Sequence, residues 1–135
     1  MQSAFVETSG ELDVVDITAL LRDYAKGKGE GFLTVFLKST TSGLLINEAD
    51  PALIDDLRQF LKILLPKEAR YKHNSTWGDS NGHSHLRSII FDRYLMLPVS
   101  GGDLLLGQWQ RVFLVELDVR PRRRELVLGF TRSDA

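Results

Sequence analysis

RYLMLPVSGGDLLLGQWQRVFLVELDVRPRRRELVLGF, residues 93–130, carries the fold. Its apolar stretches at about 93–99, 103–107, 111–118 and 124–130 read as four strands, with Gly101-Gly102-Asp103 as the turn joining the first two. Just upstream, a short helix starting near Ser84 carries Leu86, Ile89 and Ile90. Before it, Pro66 to Gly82 reads as a polar loop, longer than ordinary connections and so of functional interest. Residues 51–65 give the clearest helix: Leu53, Leu57, Phe60, Leu61 and Leu64 share one stripe, Asp50-Pro51 supplies the N-cap and first position, and Pro66 stops it. Further back, Leu44–Ile46 reads as a strand, and Phe32–Leu37 as a strand covered on both faces. A helix capped by Asp16 or Thr18 runs to about Lys26, with Ile17, Leu20, Leu21 and Tyr24 on one side. Strands at Ala4–Thr8 and Leu12–Val15 flank the Ser9-Gly10 turn. Strands outnumber helices without β-α alternation, so an α+β fold with packed sheets is expected.

The whole chain is long enough for one domain: 135 residues, 43% hydrophobic and 26% charged, describe a globular protein that buries a core. The 17 basic and 18 acidic residues give a net charge of -1, which supplies no global field for nucleic acid or anionic lipid. Without cysteine, disulfides, zinc-thiolate centres and thiol catalysis are excluded. The first residues lack a basic segment followed by an apolar one, and no apolar run reaches membrane-spanning length. A cytoplasmic protein with no membrane or nucleic-acid partner is the expectation.

Candidate chemistry concentrates in HNSTWGDSNGHSH, which holds all three histidines, His73, His83 and His85. Imidazoles are common ligands of zinc, and Asp79 or Glu48 could complete a nitrogen and oxygen sphere. The spacing matches no strong zinc signature, because a pair two apart shares a face only on an extended chain whereas a helix needs three or four, so the geometry has to come from the fold. Solvated loop histidines are the competing reading. Asp50 reads as a cap; Glu48 stays open as a catalytic carboxylate. Ser39-Thr40-Thr41-Ser42-Gly43 offers hydroxyls and backbone N–H groups to an anion. The run Arg120-Pro121-Arg122-Arg123-Arg124 suits phosphate, or a charged strand edge. Trp109 reads as a core residue.

Taken together, KSTTSGLLINEADP (38–51), YKHN (71–74), GDSNGHSHLRSII (78–90) and LMLPVSGGDLLLGQWQRVFLVELD (95–118), in this order and followed by the arginine run, resemble the YjbQ-like family. Its members are also named secondary thiamine-phosphate synthase enzymes. The resemblance implies an α+β domain: a β-sandwich with two main helices whose sheets pack around a threefold axis, hence a homotrimer. It also implies a divalent metal, zinc or magnesium, held by three histidines. Two of those positions match as His73 and His85, while Ser39 stands at the third; His83 supplies the missing imidazole if its loop folds toward the other two. The named reaction joins a pyrimidine diphosphate to a thiazole phosphate. On that view Glu48 and Asp79 are catalytic, and Ser39, Thr40, Thr41, Asn81, Trp109, Gln110, Arg122 and Arg124 bind the phosphorylated small-molecule substrate. The alternative is a trimer that binds a metabolite or metal without turnover.

Overall fold

A computed structural model describes residues 1–133. The run Val112–Leu117 is buried without alternation because both faces of its strand are covered. That strand is the centre of a three-stranded antiparallel sheet. In chain order the elements are β1 (Gln2–Glu7), β2 (Val14–Asp16), α1 (Thr18–Ala25), β3 (Gly31–Leu37), β4 (Ser42–Asn47), α2 (Pro51–Leu64) and α3 (Asn74–Trp77). They continue with α4 (Gly82–Ile89), β5 (Tyr94–Ser100), β6 (Asp103–Leu104), β7 (Arg111–Glu116) and β8 (Arg123–Arg132). The small sheet has the order β2-β7-β4 and the large one β1-β8-β3-β5-β6, with antiparallel neighbours throughout.

The sheets share a core. Leu33, Val35, Leu37, Leu97, Leu126 and Leu128 of the large sheet meet Val112 and Leu114 of β7, Leu44 of β4, and Ile17, Leu21 and Ala25 at α1. On the far side of β7, Val115 and Leu117 pack with Leu12 and with Leu61 of α2. Full burial of one such leucine stabilises by about 1.5–3 kcal/mol, so these alternating and helical stripes decide the layering.

Most elements lie where periodicity puts them. Asp50 caps α2 by accepting from Ala52 N at 3.0 Å, with Pro51 in the first position. The start of α1 is held by Asp16, whose Oδ1 accepts from Thr18 N at 2.9 Å, while Thr18 Oγ1 accepts from Val112 N at 2.8 Å and ties the helix to β7. Several expectations need correction. To the three helices expected, the structure adds the four-residue α3 within the expected polar loop, and α4 begins at Gly82. Leu12 has φ 65°, which ends the extended run and delays β2 to Val14. Only one face of β3 is covered: Phe32 and Phe36 are exposed and, with Phe5, Tyr94 and Met96, leave the outer face of the large sheet partly apolar. Trp109 is 67% exposed in the turn before β7 rather than in the core, because Gly107 and Gln110 close a tight turn at its base.

Close approach places α4. A Cβ on Gly43 would lie 2.3 Å from Phe91 Cβ, so glycine lets the end of α4 sit against β4. Backbone bonds between Leu44 and Asp92, in both directions, and a bond from Ser88 Oγ to Ser42 O at 2.6 Å complete the clamp.

Candidate functional site

The end of the β4–β7 pair nearest Ser42 and Glu116 gathers most of the polar residues singled out above. Glu116 is fully buried and accepts from Arg124 on both oxygens, with Nε at 2.8 Å from Oε1 and Nη2 on Oε2. Thr8 Oγ1 donates to its Oε1 at 2.8 Å and Asp118 N to Oε2 at 3.0 Å. Arg124 Nη2 also reaches Thr41 O at 3.0 Å and Thr41 Oγ1 at 2.9 Å. Beside this pair, Asp118 Oδ2 accepts from Arg122 Nε at 2.9 Å and Nη2 at 2.6 Å, and Oδ1 accepts from Asn81 Nδ2 at 3.3 Å. Burial pushes the Asp118 carboxyl upward, but bonds from Arg122, Val119 N and Asn81 outweigh it and hold the group below the usual carboxylate range. A carboxylate and guanidinium in such company neutralise each other, so Arg122 and Arg124 hold the chain together rather than standing free for phosphate.

Asn81 links this network to the histidines. Its Nδ2 points at Asp118, so its Oδ1 is left to accept from His73 Nε2 at 3.1 Å, which puts the hydrogen of neutral His73 on Nε2. His73 and His85 face each other edge-on with ring centroids 4.4 Å apart, and Asp79 Oδ1 lies 3.8 Å from His73 Nε2. His85, Thr40, Ser88, Ile89 and Arg93 line a cavity of about 300 Å³. Ser39 stays just outside it, its Oγ accepting from Ser42 Oγ at 2.6 Å and from Thr41 N at 3.1 Å.

His83 does not join the other two. His83 and His85 both lie in α4, where side chains two apart project to nearly opposite sides. His83 is wholly buried and donates from Nε2 to Glu11 Oε2 at 3.0 Å, leaving Nδ1 buried without a partner. Glu11 also receives Arg87 Nη1 at 3.1 Å and Lys67 Nζ at 3.4 Å. Burial pulls the His83 pKa down; the bond to Glu11 pulls it up, and Arg87 and Lys67 add to the lowering. The net value lies below the ordinary 6.5, so the unfolded chain takes up a proton that the folded chain refuses in the window just below pH 6.5. Stability therefore falls as pH drops through that window and is flat above it, with a slope of at most about 1.4 kcal/mol per pH unit for one proton. Denaturant unfolding at pH 7.5 and pH 5.5 will show this slope in the native chain and a smaller one in His83→Gln; equal slopes would refute it.

Glu48, Trp109 and Gln110 occupy the other end of the same strand pair, sharing a cavity of about 240 Å³ with Ile46 and Asn47. Thr41 and Glu48 are separated by β4, which at about 3.3 Å per residue spans roughly 20 Å. Within one chain, Glu48 therefore cannot serve the histidines. A larger cleft of about 730 Å³ lies beside Glu11, Arg58, Lys62 and Lys67, but Arg58 and Lys67 are already paired with Asp55 and Glu11.

The donors do not complete a zinc or magnesium site. No three His, Asp or Glu side chains converge on a metal position among the described residues. Catalytic zinc takes three protein ligands and magnesium takes carboxylate oxygens. Here His83 belongs to Glu11, His73 Nε2 is bonded to Asn81, and the Asp118 carboxylate is held by Arg122 and Asn81.

A family model described as UPF0047 protein YjbQ-like matches residues 2–133. The chain belongs to that family. A UPF0047 protein of Methanothermobacter thermautotrophicus is 35% identical over 123 residues, covering 90% of this chain and 84% of the relative. One from Archaeoglobus fulgidus is 32% identical, covering 91% and 94%. Among solved structures, a YbjQ-like protein of unknown function from Sulfolobus solfataricus superposes with a TM-score of 0.90 at 27% identity, over 98% of this chain and 96% of that one. A hypothetical protein of Aeropyrum pernix gives 0.85 at 33% identity over 98% and 100%. The YjbQ-like mixed α/β fold is thus common to chains from distant archaea.

Sequence reasoning missed Glu11, Thr8, Glu116, Asp118 and Arg93. Glu116 carried a signal: a single acid inside an apolar strand run must find a cation or lose its charge.

Proposed function

We propose that this YjbQ-like chain is a small-metabolite-binding protein working as a homotrimer, its ligand seated between His85 and Thr40. The observation that carries this reading is the contrast between two neighbouring zones. Arg122, Arg124, Asp118 and Glu116 are held in ion pairs, while among the described residues the side chains of Thr40 and His85 at the 300 Å³ cavity make no hydrogen bond. Few convergent polar groups over an apolar wall, here Ile89, are what small-ligand sites are made of. Asp79, near His73, is the acid or base within reach. The trimer is supported by the outer face of the large sheet, where Phe5, Phe32, Phe36, Tyr94 and Met96 are each 41–54% exposed among polar neighbours such as Glu125 and Arg123, an amphipathic face suited to a second copy. A threefold ring joins unlike surfaces, so it can set the Trp109, Gln110 and Glu48 end of one copy beside the histidine end of the next.

Thiamine-phosphate synthesis, the activity the family resemblance implies, is the second reading. What favours it is the paired polar site with a carboxylate near an imidazole; what it lacks within one chain is an unengaged cation among Arg122 and Arg124 for the leaving diphosphate. A cytoplasmic location goes with either reading; among the described residues no helix is long and apolar enough to cross a membrane.

Ligand-observed NMR with a pyrimidine diphosphate and a thiazole phosphate tests the site. Binding to the native chain, lost in His85→Ala at unchanged melting temperature, is the expected result, and diphosphate release in the same tubes decides between binder and synthase. Binding that survives His85→Ala would sink the site. Light scattering should give a trimer, broken to monomers by Phe36→Glu with Met96→Glu; a monomeric native chain would refute the assembly.

A further inference from the structure

We propose that Arg93 receives the oxyanion of the ligand, with Thr40 and His85 as its companions. This deepens the small-molecule reading above and rests on it. Arg93 lines the same cavity as those two residues. Its guanidinium is held in place by neutral acceptors alone. Nη1 donates to Ser42 O at 3.1 Å and to Ser88 Oγ, and Nη2 donates to Ser88 O at 2.7 Å and to Phe91 O at 3.1 Å. These bonds orient the group at the C-terminal end of α4 without cancelling its charge, since no carboxylate among the described residues pairs with it. Among the described residues Nε has no partner.

The neighbouring arginines show the difference. Arg122 and Arg124 each face a carboxylate at hydrogen-bond distance, and Arg111 and Arg87 are likewise paired with Asp16 and Glu11. A rigid guanidinium with full charge and one free N–H, beside a hydroxyl and an imidazole, is a receptor for one oxyanion. The remaining acceptor-free wall, Ile89, suits the apolar or heteroaromatic body attached to it. A phosphoryl or a carboxylate group would satisfy the same three donors.

The test uses the full chain and inorganic phosphate, followed through the ring signals of His85 in NMR, with acetate as the parallel probe. A saturable shift of His85 is expected, weakened at least about tenfold by Arg93→Gln, as removal of a charge-assisted bond requires, and more modestly by Thr40→Val. Because Arg93 also ties the end of α4, Thr40→Val and Arg93→Lys keep the test decisive should Arg93→Gln melt early. Thr40 is exposed and its side chain makes no hydrogen bond among the described residues, so its loss does not disturb the fold. Phosphate shifting His85 more than acetate assigns a phosphoryl group; the reverse assigns a carboxylate. A shift that none of the variants alters would overturn the role of Arg93 while leaving the cavity as the ligand site. No shift with either anion would overturn the inference itself, and the NMR screen with the pyrimidine and thiazole phosphates then decides the wider reading.

Discussion

Glu116→Gln will cost about 3–5 kcal/mol of stability, the usual penalty for leaving a buried charge without its partner. Glu116 is fully buried and, among the described residues, is the only carboxylate bonded to Arg124, which is itself nearly buried. Its other bonds reach Thr8 at the end of β1 and the backbone of Asp118, so the same change loosens the ends of two sheets. Total stabilities of small domains are about 5–15 kcal/mol, so the variant will melt on the order of 10–20 °C lower or fail to fold. The double variant Glu116→Met with Arg124→Met should recover much of the loss, because an apolar pair leaves no orphan charge. A single variant that melts like the native chain would show that water reaches the pair.

Ser39→His will turn a chain that holds well below one equivalent of zinc into one that holds close to one. Ser39 immediately precedes Thr40 at the His85 cavity, and His73 and His85 already stand 4.4 Å apart. Two imidazoles leave zinc short of the three protein ligands that catalytic sites provide, and a third at this position completes them. Elemental mass spectrometry on untagged protein checks it, with Ser39→His/His73→Ala expected to lose the metal again. One zinc per native chain would show that the present residues suffice and would return the metal-dependent reading to first place.

These two predictions also mark what could be read before the structure. The stripe of Leu53, Leu57, Leu61 and Leu64 and the Asp50-Pro51 start specified α2 locally, within reach of a few bonds. The run 111–118 was legible as a strand, but that both its faces are covered and that Glu116 is buried against Arg124 came only with the structure. Phe32 and Phe36 misled, because an apolar residue on an exposed outer sheet face and one in a core are the same letters in the sequence. Trp109 misled for a similar reason: its tight turn presents it outward. His83 was expected to join His73 and His85 if its loop folded toward them, and α4 sends it to Glu11 instead.

The sequence alone determined the family and most of the longer elements, because periodicity, caps and ordered motifs are local or nearly so; it did not determine α3 or the covering of β3. It also determined the absence of thiol chemistry and of a strong overall charge. Which polar residues stay free was decided only by the tertiary structure. The β4–β7 register brings Thr41, Asn81, Asp118 and Arg124 together at one end and carries Glu48 and Trp109 to the other. The packing of α4 gives Glu11 to His83, and gives Arg93 carbonyl oxygens in place of a counter-ion. Charge neutralisation depends on contacts between residues far apart in the chain, and no local pattern encodes which carboxylate an arginine will meet.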